Sequence, residues 1–147
     1  LGSVAADVQA LLGIQGVGIT IATAFVARVP SIQLFKRGRS FASWLGLTCR
    51  EYSSGQTRRL SRITKQGDHY LRMMLIHGAR AALMAARRKM ANGKQLTRLE
   101  TWAVNTQARV GHNKATVALE NKMARIMWAV WTRRDDFNGD YALRFAA

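Results

Sequence analysis

A chain of 147 residues can bury one core and is too short for two ordinary domains. With 48% hydrophobic residues and a single proline, it is excluded from the disordered class and expected to be mostly helical. The 23 Lys and Arg against 8 Asp and Glu, a formal +15, point to a polyanion partner: nucleic acid first, with a ribosome-like RNA binder or a membrane-surface protein as the bland alternatives.

The chain opens on Leu1 rather than Met, so an upstream segment of a longer reading frame is expected. The opening LGSVAADVQALL lacks the basic flank and long apolar core of a signal peptide. No apolar run reaches the roughly 20 residues of a membrane span, so a soluble, cytoplasmic protein is expected. Val4 to Leu12 reads as a short helix, and GIQGVGITIATAFVARV then sets Gly16 and Gly18 around Val17 between apolar stretches, the pattern of a helix-hairpin-helix. In that motif the glycines and the first amides of the second helix grip a phosphate without reading bases, which makes Gly16, Val17 and Gly18 a candidate backbone clamp. An ordinary tight turn between packed helices fits the same residues equally well.

Pro30 and Ser31 end that helix, and the basic run Lys36, Arg37 and Arg39 leads into SFASWLGL, a short helix with Ser40 as N-cap and Phe41, Trp44 and Leu45 turned inward. From Gly46 to Gly67 helical period is lost, and the segment reads as a long basic loop that could hold a small hairpin. Cys49, the one cysteine, can form neither an internal disulfide nor a CxxC zinc pair and reads as a packing residue. Asp68 is placed to cap the central helix, which runs to about Met90 with Leu71, Met74, Leu75, Gly78 and Ala82 on one stripe. After the break ANGK, helices over Thr97 to Arg109 and Asn113 to Trp131 follow, separated by Gly111. The fold expected is mainly α: a helical domain over 1–133 with an N-terminal helix-hairpin-helix and a long basic loop, then a loosely ordered tail over 134–147.

The 46–67 segment gathers hydroxyls among cations: Tyr52, Ser53 and Ser54 beside Arg50, Arg58, Arg59, Arg62 and Lys65. A serine oxygen can attack a phosphodiester when cations stabilise the charge that grows on phosphorus, and Ser54, directly before Gly55, suits close backbone approach best. A loop that only grips phosphates, its serines donating hydrogen bonds, explains the same composition. His69, His77 and His112 are scattered, as are the carboxylates, so no metal site is expected in this chain. Trp44, Trp102, Trp128 and Trp131, with Met73, Met74, Met123 and Met127, fall at helix-face positions and read as core.

Taken together, LLGIQGVGITIATAFVARV, FKRGRSFASWLGLT, YSSGQTRRLSRITKQGDHYLR, LIHGARA and NKATVALENKMARIMWAV resemble, in order and spacing, the C-terminal domain of the insertion-sequence transposases called IS one-ten and IS eleven-eleven, which are related to the Piv pilin-gene invertases. The resemblance covers nearly the whole chain and departs mainly at TCREY, Thr48 to Tyr52, where a proline often follows in the family. It implies a separate N-terminal RuvC-like domain whose acidic residues hold Mg2+, with no cofactor in this chain. It implies a serine nucleophile at Ser54, with Ser53 as the neighbouring alternative, attacking DNA to give a phosphoserine link. It implies a structured bridge RNA that supplies sequence choice, and assembly as a homodimer or homotetramer. On this reading Arg50, Arg58, Arg59, Arg62, Lys65 and Arg72 contact nucleic-acid backbone, together with Gly16, Val17 and Gly18. Two other readings compete: a non-catalytic helix-hairpin-helix DNA-binding module and, ranked last, a protein whose basic loop grips structured RNA alone.

Overall fold

A computed structural model of the chain describes residues 2–54, 57–63, 67–134, 137–138 and 140. The architecture is mainly α, as composition and apolar period require. It comprises α1 (Gly2–Leu12), α2 (Ile19–Arg28), a 3-10 turn (Ile32–Leu34), α3 (Gly38–Trp44), strands β1 (Cys49–Ser54) and β2 (Thr57–Ile63), α4 (His69–Ala91), α5 (Arg98–Val110) and α6 (His112–Arg133).

The last helix is the axis on which the others pack. α6 touches α1, α3, α4, α5 and the 3-10 turn. Its Leu119, Met123, Ile126, Met127 and Val130 recur at helical spacing and are buried. Against them lie Leu71, Leu75 and Leu83 of α4, Leu99 and Ala103 of α5, Leu11 of α1, Phe25 of α2 and Ile14 from the turn between those two. At the α3 end the core is aromatic: the Phe41 ring stands 5.3 Å from Phe35, 6.2 Å from Phe25 and 6.5 Å from Trp131, mostly edge-on, the arrangement ring quadrupoles favour. Trp128 is half-buried and spends its indole N–H on the Phe35 carbonyl at 2.8 Å.

Helix ends follow local chemistry. Asp68 caps α4 by accepting the Leu71 amide at 3.1 Å. Thr97 opens α5 with a reciprocal capping box: its hydroxyl accepts the Glu100 amide, and the Glu100 carboxylate accepts the Thr97 amide. Ser40 is not a cap; α3 starts two residues earlier, with Arg37 at the N-cap and Gly38 seated against the backbone of Arg125 on α6. A Cβ at residue 38 would meet the Arg125 backbone at 3.2 Å, closer than ordinary contact, and this approach goes with a helix start ahead of the serine. Met73 also departs from expectation: it lies on the outer side of α4, 40% exposed.

The turn between α1 and α2 is bound into the fold by two glycines. Gly16 adopts φ +88°, and a Cβ there would sit 2.7 Å from the Gly78 carbonyl; a Cβ on Gly78 would sit 2.4 Å from the Gly16 carbonyl. The two backbones therefore meet directly, one from the turn and one from the middle of α4.

Candidate nucleic-acid interface

The segment expected as a long basic loop contains an antiparallel pair. β1 and β2 pair through Cys49 with Ile63, Glu51 with Leu60, Tyr52 with Arg59, Ser53 with Arg58 and Ser54 with Thr57, with an irregularity between Cys49 and Glu51. Thr, Tyr and Ile favour extended backbone, and the arginines tolerate it. With only Leu60 and Ile63 apolar in β2, the period-two signal of a half-buried strand is nearly absent from the sequence.

The register fixes which residues share a level. Ser54 pairs with Thr57 at the end of the ladder far from the helices, and Arg58 and Arg59 stand opposite Ser53 and Tyr52. The paired strands pack chiefly on each other rather than on the helical body. Lys65 and Gly55 lie outside the described residues, as do the side chains of Arg50, Ser53, Ser54, Arg58, Arg59 and Arg62.

Both ends of the hairpin are anchored. At its entry, α3 finishes with Gly46 at φ +80°, whose amide bonds to the Ser43 carbonyl at 2.9 Å while the Leu47 amide reaches the Ala42 carbonyl at 2.9 Å, a Schellman closure. The Leu45 carbonyl beyond it accepts from Arg72 of α4 at 3.2 Å, and the Leu47 carbonyl accepts from Asn121 of α6 at 2.8 Å. Arg125 holds Asn121 in place by donating to its Oδ1 at 2.9 Å. At the exit, Gly67 takes φ +105° where a Cβ would fall 2.0 Å from the Trp44 carbonyl. Asp68 then receives a two-pronged bond from Arg28 at 2.9 and 3.2 Å, and Arg28 lies over the Tyr70 ring at 4.8 Å. The Arg28 guanidinium, with the Leu71 amide assisting, holds the Asp68 carboxyl below its ordinary range.

Other site residues read from sequence fall as follows. Gly16 is half-buried and turned onto Gly78, and Val17 is buried, while Gly18, Ile19 and Thr20 are exposed at the start of α2. Gly18 is the N-cap there and makes no side-chain cap bond to the first amides of α2. Arg72 is half-buried, tied to the Leu45 carbonyl and to Nδ1 of His69 at 3.2 Å. Asn121 and Arg125, which hold the hairpin entry, went unnoticed in the sequence because both fall inside a continuous amphipathic helix with no local mark.

One buried acid lies beside this anchorage. Glu120 is 1% exposed, its Oε1 has no hydrogen-bond partner, and burial pushes its carboxyl up to about 8, opposed by the charge of Arg72. Among the described residues no cluster of His, Cys, Asp or Glu could hold a metal ion. His69, His77 and His112 are all exposed.

A family model described as Transposase IS116/IS110/IS902 family matches residues 8–95. Over 128 residues the chain is 41% identical to a Pseudomonas aeruginosa protein named probable family 20 transposase, covering 87% of this chain and 36% of that protein. It is 40% identical over 131 residues to the transposase for insertion sequence element IS1111A of Coxiella burnetii, covering 89% of this chain and 34% of the relative. With the transposase for insertion sequence element IS1328 of Yersinia enterocolitica it shares 33% identity over 130 residues, 88% of this chain and 37% of the relative. The chain thus spans about a third of the length of the curated relatives it matches.

Proposed function

Because this chain belongs to the IS116/IS110/IS902 family of transposases, we propose that it is the segment that holds DNA at the hairpin and supplies Ser54 as the nucleophile for strand cleavage and joining. The observation that carries this reading is the register: Ser54 ends the ladder away from the helical body, next to the level where Arg58 and Arg59 face β1. An oxygen there meets a phosphodiester without displacing core residues, and the neighbouring cations suit the charge that develops on phosphorus.

In the proposed step the Ser54 hydroxyl oxygen bonds to phosphorus and its proton passes to a base. The bond from phosphorus to the sugar oxygen of the displaced strand breaks, and that oxygen leaves as a hydroxyl after taking up a proton. The result is a phosphoserine link, which a second strand's hydroxyl reverses on joining. Arg50, Arg58, Arg59, Arg62 and Lys65 grip flanking phosphates. From the α1–α2 turn, Gly18 and the first amides of α2 add a backbone contact, while Gly16 and Val17 hold the turn on the body. In this reading Mg2+ belongs to an acidic domain outside the chain, as the family resemblance implies, and no step here runs through it. A structured guide RNA and further copies of the polypeptide complete the assembly; the large basic excess is what a partner of that kind requires.

The test is Ser54→Ala in a polypeptide extended to the length of the relatives, assayed with RNA and DNA for a covalent protein–DNA adduct. Loss of the adduct with DNA binding retained is expected. An adduct that survives Ser54→Ala and disappears with Ser53→Ala moves the role by one residue. Failure to form any adduct in the unsubstituted protein, with binding intact, leaves a non-catalytic DNA-binding module.

A further inference from the structure

A second basic feature lies on the helical body, at the root of the hairpin rather than on its strands. Arg37 and Arg39, on either side of buried Gly38, line an open cleft with Ser40, Ser43 and Thr48. Gly38 lets α3 come so close to α6 that its Cβ position is 3.2 Å from the Cα of Arg125, and this contact sets the two arginines at the seam between the helices. Arg37, Arg39, Ser40 and Ser43 are exposed and Thr48 is half-buried. Among the described residues neither Arg37 nor Arg39 forms an ion pair, whereas Arg28, Lys89 and Arg134 each have a carboxylate.

The electrostatics are those of a surface waiting for an anion. Arg125 lies near enough to Arg39 that, after burial, the Arg39 charge is what pulls its proton affinity down. Like charges are thus held close with no carboxylate among the described residues that line the cleft, and three hydroxyls supply hydrogen-bond donors beside two guanidinium forks. A phosphate oxygen satisfies both needs at once. Because Arg125 also holds Asn121, which holds the Leu47 carbonyl at the entry of β1, an anion in the cleft sits on the same scaffold that aims the hairpin.

We propose that the cleft of Arg37, Arg39, Ser40, Ser43 and Thr48 is a second DNA-backbone site, which holds a non-reacting phosphate of the same duplex that the hairpin tip addresses. This rests on the reading of the chain as a DNA-holding segment but not on the identity of the nucleophile. The six residues of β1 separate tip from root by ~20 Å of extended chain. At ~3.4 Å per base pair that is about six base pairs, so the held phosphate lies roughly half a turn from the reacting one.

The experiment measures binding of the present chain to duplex DNA across a salt series, with Arg37→Ala/Arg39→Ala and Arg58→Ala/Arg59→Ala compared in parallel and a thermal melt confirming that each is folded. The cleft pair is expected to weaken duplex binding about tenfold or more and to lower the slope of log affinity against log salt by about one to two. Arg37→Lys/Arg39→Lys, which keeps charge and loses the fork, is expected to recover the slope and only part of the affinity. Phosphate-ethylation interference is expected to lose one cluster of contacts in the cleft variant and a different cluster in the hairpin variant. An unchanged affinity and slope in the folded cleft variant overturns the proposal, and if the hairpin variant loses binding in the same series the DNA-holding reading survives that failure. Weakened binding to structured RNA with duplex affinity unchanged also overturns it, since the cleft then serves RNA. Loss in the cleft variant alone supports the cleft and counts against the hairpin.

Discussion

Three residues show how a single position can set a property of this domain. Glu120 has a folded pKa near 8 against an ordinary 4.5, so its proton is held more tightly in the folded than in the unfolded chain. Its contribution is therefore most favourable below pH 4.5 and is lost as pH rises towards about 8, at up to ~1.4 kcal/mol per pH unit. Glu120→Gln is expected to remove that dependence, so that variant and parent differ little in denaturant midpoint in acid while the variant is the more stable in mild alkali. Asp68 has the opposite sign: its lowered pKa makes its contribution present above the ordinary carboxylate range and lost as acid protonates it. Asp68→Ala removes both the α4 cap and the partner of Arg28 and is expected to cost about 1 kcal/mol or somewhat more, read in a urea titration at neutral pH. Gly16→Ala forces a Cβ against the Gly78 carbonyl at positive φ, and a loss on the order of 1–3 kcal/mol is expected in the same titration. Of these, the Asp68 cap was legible in the sequence, because an acid directly before an apolar-periodic run has one local use. The Glu120 environment was not, since burial of a carboxylate on α6 depends on where α4 comes to lie.

At the scale of elements, the two ends of the hairpin matter more than its middle. The Leu47 carbonyl belongs to a fully buried residue and takes its bond from Asn121, so Asn121→Ala strands a buried acceptor and is expected to cost about 1–3 kcal/mol. If the hairpin is aimed by this contact, adduct yield in the extended polypeptide falls more steeply than the melt predicts, whereas an equal fall assigns Asn121 to stability alone. α5 carries a comparable hub in Glu100, 3% exposed. Burial favours its neutral form, but bonds from Lys89 at 2.8 Å, the Thr97 amide and Gln15 outweigh it and keep the carboxyl below its usual range. The six helices were largely legible because their apolar residues recur at helical spacing, and Thr97 to Arg109 shifted by only one residue, to Arg98–Val110. The strands were less so: arginines alternate with Thr, Ser and Leu in TRRLSRI, and pairing through backbone amides leaves little trace in side-chain polarity. Ser40 was misplaced as a cap because the Gly38 contact with α6, a tertiary feature, starts the helix earlier.

At the scale of the whole molecule, the basic excess sets the class of partner expected. The cations behind the formal +15 are distributed along the chain, on α2, α4, α5 and α6 as well as on α3 and the strands, and among the described residues no helix is long and apolar enough to cross a membrane. Duplex affinity of the intact chain is expected to fall by several decades between low and physiological salt, as for proteins that neutralise many phosphates, and a flat salt response would deny it a polyanion partner. The candidate site was readable as a neighbourhood, since hydroxyls and cations crowd into 50–65, but not as a geometry. Which arginine stands level with which serine is a matter of register, which composition alone does not fix.

Those ends have one more effect. Residues 45–47 and 67–68 are bonded to α2, α4 and α6, whereas beyond them two strands hold chiefly each other, and a lone pair of strands is barely stable in water. Amide deuterium uptake should therefore divide sharply at Leu47: slow on the helical side and governed by unfolding of the entire body, fast along Glu51–Ser54 through openings that leave the helices intact. Whatever the strands clasp would then supply the missing protection, and the ladder would tighten only while the nucleic acid is in place.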